Sequence, residues 1–190
     1  MGGKVLKQVK ISSGDTDFKA MISSVKSLKP ELVFFPIYSA EAGLIAKQAK
    51  QLGLDVPFVG TDGMTADKVF LEVAGKAAEG FYNTDLFSPS APKTTQASKD
   101  FEKAFKKKYN EDVHPFAALS ADAYRVIVNA LNQCKDHTDG ACINSKIKST
   151  KDFEGVAGVL SITPKGDAIR GAVINQIIDG KQVYKTTVNP

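Results

Sequence analysis

Two short runs of this chain bring together residue types able to grip a small polar molecule. Tyr38-Ser39 follows directly on the apolar run Leu32-Val33-Phe34-Phe35-Pro36-Ile37, and Thr61-Asp62-Gly63 follows on Val56-Pro57-Phe58-Val59-Gly60. Tyr38 offers a flat apolar ring with a polar tip, which suits the side of a small organic ligand. An ionised Asp62 attracts an ammonium group, and Gly63 beside it lets the backbone approach a bound molecule closely. Ser39 and Thr61 add hydroxyls at the same two points, and a further run, Gly80 to Thr84, delivers Asp85. Each residue also has an ordinary structural role open to it: Tyr38 as a ring capping a sheet, Asp62 as a turn or helix-cap residue. Two polar-tipped residues at adjacent strand ends tilt the balance toward a binding site.

Catalysis finds little support. The sequence holds no Gly-x-Ser-x-Gly elbow, Walker loop, His-Glu-x-x-His or Gly-x-Gly-x-x-Gly. Both histidines, His114 and His137, fall in predicted loops. Asp15 with Asp17, or Asp62 with Asp67, would serve as a carboxylate pair or a Mg²⁺ site, but helix capping explains their placement at least as well. No catalytic residue, metal or cofactor is expected. Cys134 and Cys142 flank His137 in a polar stretch. They fit a disulfide, a Cys-His-Cys metal site lacking a fourth ligand, or two free thiols. The disulfide, worth roughly 2–3 kcal/mol for so short a loop, fits best and implies an oxidising compartment.

The elements that must position these residues follow from periodicity. Val5 to Ile11 alternates apolar and polar, predicting a strand with one wet face. Phe18, Met21, Ile22, Val25 and Leu28 form a helical stripe that Lys29-Pro30 stops. Leu32 to Phe35 is a continuous apolar run, expected of a parallel strand covered on both faces. Ser39 is placed to cap a helix with Leu44, Ile45, Ala49 and Leu52 inward and Gly53 at its end. A strand at Val56–Gly60, a helix capped by Thr65 with Val69, Phe70 and Val73, and a strand at Gly80–Thr84 continue the rhythm. Alternating strands and helices with short links predict an α/β fold with a doubly wound parallel sheet. In such a sheet ligands bind beyond the carboxyl ends of the strands, which is where Tyr38 and Asp62 fall.

After Leu86 the rhythm changes. A loop at 88–92 precedes a helix from about Thr95 to Tyr109, whose Lys103, Lys106, Lys107 and Lys108 read as a solvated face with a cationic last turn. His114-Pro115 breaks the chain before a helix from about Ala117 to Gln133. The remainder is β: Gly158–Thr163, Gly171–Ile178 and Val183–Val188, with Asp179-Gly180 a strong hairpin-turn signal.

The 190 residues are 43% apolar and 24% charged, an ordinary globular composition. Lys and Arg number 25 against 21 Asp and Glu, and the resulting +4, without Trp or an RNA-binding aromatic motif, gives no case for nucleic acid. The longest apolar stretch, Leu32 to Tyr38, falls far short of the roughly 20 residues of a membrane span. Met1-Gly2-Gly3-Lys4 leads into a charged segment rather than the apolar core of a signal peptide.

Several runs, in order, resemble the branched-chain amino-acid-binding protein family, solute-binding receptors of ABC importers with the type I periplasmic-binding-protein fold. They are Gly14-Asp15-Thr16-Asp17-Phe18, the apolar strand through Phe35, Ala49-Lys50-Gln51-Leu52-Gly53-Leu54, Phe58-Val59-Gly60-Thr61-Asp62-Gly63, Ala77-Ala78-Glu79-Gly80, Ala121-Asp122-Ala123-Tyr124 and Asp152 to Gly158. The likeness covers about Gly3 to Val188.

It implies a ligand held between two α/β lobes, with Tyr38 a ligand-contacting aromatic and Asp62 the acid that holds the α-ammonium. It further implies a leucine, isoleucine, valine or related ligand, a membrane permease as partner, a monomer, and a periplasmic or extracellular location. The family's members are longer, so the resemblance implies a C-terminal portion. Residues 1–114 would be a second lobe incomplete at its N-terminus, 115–170 a return into the first lobe, and 171–190 terminal strands partly of the second lobe. Rival readings are a ligand-sensing ectodomain, a receptor for amides, urea or aromatic acids, and a small α/β enzyme with Asp62 as general base.

Overall fold

The computed structural model describes residues 2–65 and 68–190. They divide into two compact units, one running up to Thr84 and including Asn175–Val183, the other formed by Asp85–Ile174 and Tyr184–Pro190. Residues 85–114, grouped with the preceding segment by the sequence reading, fall in the second unit.

In the first unit α1 (Lys19–Ser27), β1 (Val33–Phe34), α2 (Ser39–Gln51), β2 (Phe58–Gly60), a 3-10 turn (Asp62–Thr65), α3 (Val69–Ala74) and β3 (Tyr82–Asp85) alternate. The last residue of β3 opens the second unit. β1 pairs with β2, and β2 with β3, in parallel. The alternation of strand and helix forces this, since a parallel neighbour is reached only through a crossover. Three rings fix the register on one face. Phe58 stacks on Phe81 at 4.6 Å between centroids, and Phe35 meets both edge-on at 5.4 and 5.8 Å. Ala42, Ile45, Ala46 and Ala49 of α2, Phe70 of α3, and Phe18 and Ile22 complete this core. Leu28, expected in the α1 stripe, is instead exposed.

Two strand expectations need correction. Val5–Ile11 forms no strand: it joins no sheet, and Val5 is 80% exposed. Alternation supplies a wet and a dry face, but a strand also needs a ladder partner, and none of the described strands pairs with it. β1 is shorter than its apolar run and is not covered on both faces, with Leu32 and Phe34 exposed. It is the edge of the sheet, whose order is β1-β2-β3-β7-β8.

The second unit holds α4 (Gln96–Tyr109), α5 (Pro115–Leu131), α6 (Gly140–Lys148) and an antiparallel sheet of β4 (Phe153–Gly155), β5 (Gly158–Ile162) and β6 (Ala168–Arg170). Thr95 caps α4 by accepting from Ser98 N–H at 3.0 Å, and His114 precedes Pro115 as the N-cap of α5. α6 lies in the polar stretch expected to be a loop. Its start is marked by Asp139, whose carboxylate accepts from the Ala141 and Cys142 amides. Cys134 and Cys142 are joined in a disulfide, Cα atoms 6.2 Å apart, so neither is available to a metal. β7 (Ala172–Ile178) and β8 (Lys181–Val188) are linked by Asp179-Gly180, both at positive φ (51° and 68°), as a two-residue hairpin turn requires. Among the described residues no helix is long and apolar enough to cross a membrane.

α5 is fastened to the small sheet by charge. Asp122 pairs with Arg170 at 2.9 Å, their side chains only 3% and 7% exposed, and also accepts from the Val156 and Ala157 amides. Asp122→Ala strands a buried guanidinium, so unfolding free energy is expected to fall by about 3–5 kcal/mol, read from the urea midpoint. A loss under about 1 kcal/mol, the worth of an exposed pair, would contradict the burial.

Candidate functional site

The parallel register puts the ends of β1 and β2 side by side, with Val33 opposite Phe58 and Phe34 opposite Val59. Beyond β1 the chain turns at Tyr38, the extended N-cap residue of α2, whose carbonyl accepts from Ala42 N–H at 3.0 Å. Beyond β2 it turns at Thr61 into the 3-10 turn, closed by Met64 N–H donating to Thr61 O at 3.0 Å. The two turns touch. A Cβ placed on Gly63 would stand 3.3 and 3.4 Å from Cδ1 and Cε1 of Tyr38, so the ring lies against bare backbone. Asp62 immediately precedes that contact.

Tyr38 is 73% exposed, and Asp62 is exposed with neither a hydrogen-bond donor nor a cation at its carboxylate among the described residues. An unpaired acid one residue from a backbone that touches an open aromatic ring is an arrangement suited to an ammonium carried on a small apolar body. Thr61 is half-buried at the foot of the turn. Ser39 is buried, as the first residue of α2, and makes no capping bond. Thr65 does not cap α3 either; it ends the 3-10 turn, and Lys68 stands at the α3 N-cap without a side-chain bond.

Asp85 is buried and accepts from Leu86 N–H at 2.7 Å and Phe87 N–H at 3.4 Å, holding the chain that leaves β3. Asp15 accepts from Ser12 N–H and Asp17 from Lys19 N–H, so both carboxylates serve local turns. Asp67, the suggested partner of Asp62, lies outside the described residues. No cluster of three or more metal-ligating side chains occurs among the described residues.

Sequence reasoning missed the side chains that tie the Gly14–Phe18 loop to α2. Glu41, in the first turn of α2, accepts from Gly14 N–H at 2.8 Å. That bond, foremost, holds its carboxyl below the usual value of 4.5. Gln48 is buried; its Oε1 accepts from Phe18 N–H and its Nε2 donates to Thr16 O, both at 2.8 Å. The available signal was a polar residue on the helix face otherwise formed by Ala42, Ile45, Ala46 and Ala49. A cleft of about 480 Å³ also opens in this unit, at the opposite ends of β2 and β3, lined by Pro57, Phe58, Gly80 and Tyr82 with Lys50 and Lys76. It includes neither Tyr38 nor Asp62. We place the candidate site at Tyr38 and Asp62, because helix starts and exposed polar tips converge there.

Comparison with known proteins gives consistent relatives. The family model for periplasmic binding proteins matches residues 1–182. A leucine-, isoleucine-, valine-, threonine- and alanine-binding protein of Pseudomonas aeruginosa is 31% identical over 157 residues, covering 83% of this chain and 40% of that protein. Among solved structures, a leucine-binding protein of Thermotoga maritima superposes with a TM-score of 0.90 at 32% identity, covering 97% of this chain and 52% of that one. A branched-chain amino acid substrate-binding protein of Streptococcus pneumoniae in complex with isoleucine follows at TM-score 0.80 and 32% identity, covering 95% and 51%. The chain thus spans about two-fifths of the length of the curated relatives and half of the solved chains it matches.

Because the folded Glu41 pKa lies below 4.5, the Gly14 tether is complete above that pH and is lost as pH falls through the lower folded value. The Gly14 amide resonance is therefore expected to titrate with a midpoint below 4.5, and Glu41→Gln to abolish the transition. A midpoint at or above 4.5 would mean that the bond does not favour the ionised form.

Proposed function

The chain belongs to the periplasmic binding protein family, and from that membership we propose that it forms part of a receptor that captures a branched-chain or related amino acid for an ABC importer. Its relatives are solute-binding proteins rather than enzymes, of the branched-chain amino acid transport family. One observation carries the finer reading: Asp62 is exposed and unpaired among the described residues, and the residue after it, Gly63, lies against the open ring of Tyr38. Asp62 holds the ligand's ammonium, Tyr38 packs along its body, and Thr61 frames the base. Ser39 supports this arrangement from within α2.

The partners are the amino acid itself and a membrane permease, and the receptor acts as a monomer in the periplasm or outside the cell. The Cys134–Cys142 disulfide supports that location, since such bonds persist in oxidising compartments. An aromatic-acid ligand makes use of Tyr38 but sets its carboxylate against Asp62, a like-charge pairing that weakens binding. A general-base role for Asp62 would act without a histidine or cysteine from its own unit, which contains neither.

The test is calorimetry with leucine, isoleucine and valine on the protein purified as its gene encodes it. Asp62→Ala is expected to weaken binding by about 2–5 kcal/mol, the cost of leaving a covered charge without its partner. Affinity equal to the unsubstituted protein's would remove Asp62 from the site.

A further inference from the structure

Behind the exposed face of the Asp62–Thr65 turn runs a chain of side-chain hydrogen bonds that amine capture itself does not use. Asn83, in β3, is wholly buried and donates from Nδ2 to the Thr65 hydroxyl at 3.0 Å. Its Oδ1 accepts from Nε2 of Gln182, in β8, at 3.3 Å. Asparagine is depleted in strands, and a buried amide is tolerated only where its atoms find partners. Asn83 meets that demand by spanning from the terminal hairpin to the binding turn.

Among the described residues, three contacts hold the turn from below. The first is Met64 N–H donating to Thr61 O. The second is the Met64 side chain, fully buried and lying over Gly60, where a Cβ would stand 2.6 Å from its sulfur. The third is Thr65 on Asn83. Among the described residues, only the third fixes the end of the turn opposite Asp62 by a directional bond. Gln182, by donating to Asn83 Oδ1, sets which end of the amide faces Thr65.

We propose that Asn83 and Thr65 are positioning residues for amine capture. Their hydrogen bond holds the 3-10 turn, and so the aim of the Asp62 carboxylate, before ligand arrives. The inference rests on the reading of Asp62 as the ammonium partner. A pre-set acceptor avoids ordering the turn at the moment of binding, which strengthens affinity without a new ligand contact.

Two arms test it. In ligand-free protein, Thr65→Val keeps the side-chain shape but removes the acceptor. Hydrogen exchange at the Met64 amide is expected to rise about tenfold, while the Phe35 amide, bonded to Val59 O in the β1–β2 ladder, stays as protected as before. Asn83→Leu should give the same pattern, and Thr65→Ser should restore protection. In the ligand arm, leucine affinity is expected to fall about tenfold in Thr65→Val, to recover in Thr65→Ser, and to show no further fall when Thr65→Val is added to Asp62→Asn. Met64 exchange unchanged in both Thr65→Val and Asn83→Leu overturns the positioning role alone. So does an equal loss of protection at Phe35, or a tenfold fall in affinity that persists in the Asp62→Asn background, since either would mark general destabilisation. Full leucine affinity in Asp62→Asn itself overturns the amine reading, and the exchange arm then still reports whether the bond fixes the turn.

Discussion

The structure of the first unit turns on the parallel register of three short strands, locked by one phenylalanine from each strand segment. β1, β2 and β3 contribute only two, three and four residues, too few for ladder hydrogen bonds alone to specify alignment. The stacked pair Phe58–Phe81 and the edge-on Phe35 supply what the ladders lack. A slip of one residue would turn each ring to the opposite face. Correct register brings the ends of β1 and β2 into step, and only then does Tyr38 lie on Gly63. The aromatic cluster across the strands is thus what brings the turns at their carboxyl ends into step.

A second constraint acts through α2. Its first turn carries both Tyr38, as N-cap, and Glu41, which holds Gly14; its middle carries Gln48, which holds Thr16 and Phe18. One helix therefore fixes a loop with no regular structure of its own and an aromatic ring without a hydrogen-bond anchor among the described residues. Such tethers place irregular backbone as firmly as a strand would, provided that each polar atom is satisfied.

Much of this was legible in the sequence, for reasons that differ by element. The helices α2, α4 and α5 and the hairpin at Asp179-Gly180 announce themselves through 3.6-residue periodicity and turn chemistry, both local properties. Tyr38 and Asp62 stood out because they follow short apolar runs, and the strand-end rule needs nothing more. Val5–Ile11 misled because alternation describes a strand's faces but not its neighbour, and pairing is non-local. α6 was hidden because it has no buried residue and its only signal is the Asp139 cap. Ser39 and Thr65 looked like caps, as their residue types favour, yet one is buried at a helix start and the other is bonded to Asn83, a residue 18 positions away. Contacts at that range leave no mark in a local pattern.

Electrostatics decides what the patch can do. Two opposite charges about 4 Å apart in water attract by only about 1 kcal/mol, but by about 4 kcal/mol where the effective dielectric falls to a protein-surface value. Asp62 on an open turn lies at the first limit, where an ammonium in passing is held no better than any counterion. Strong and selective capture requires a surface that shuts water out above the carboxylate while leaving room for the amine. Tyr38, against the Gly63 backbone, offers one apolar wall close to that carboxylate's turn. On the proposed reading, the value of Asp62 lies in having no partner among the described residues: a lysine beside it would satisfy the charge and remove any reason for a ligand's ammonium to replace water there. On the proposed reading, an acid with no partner among the described residues suits a receptor, because the ligand itself would bring the partner.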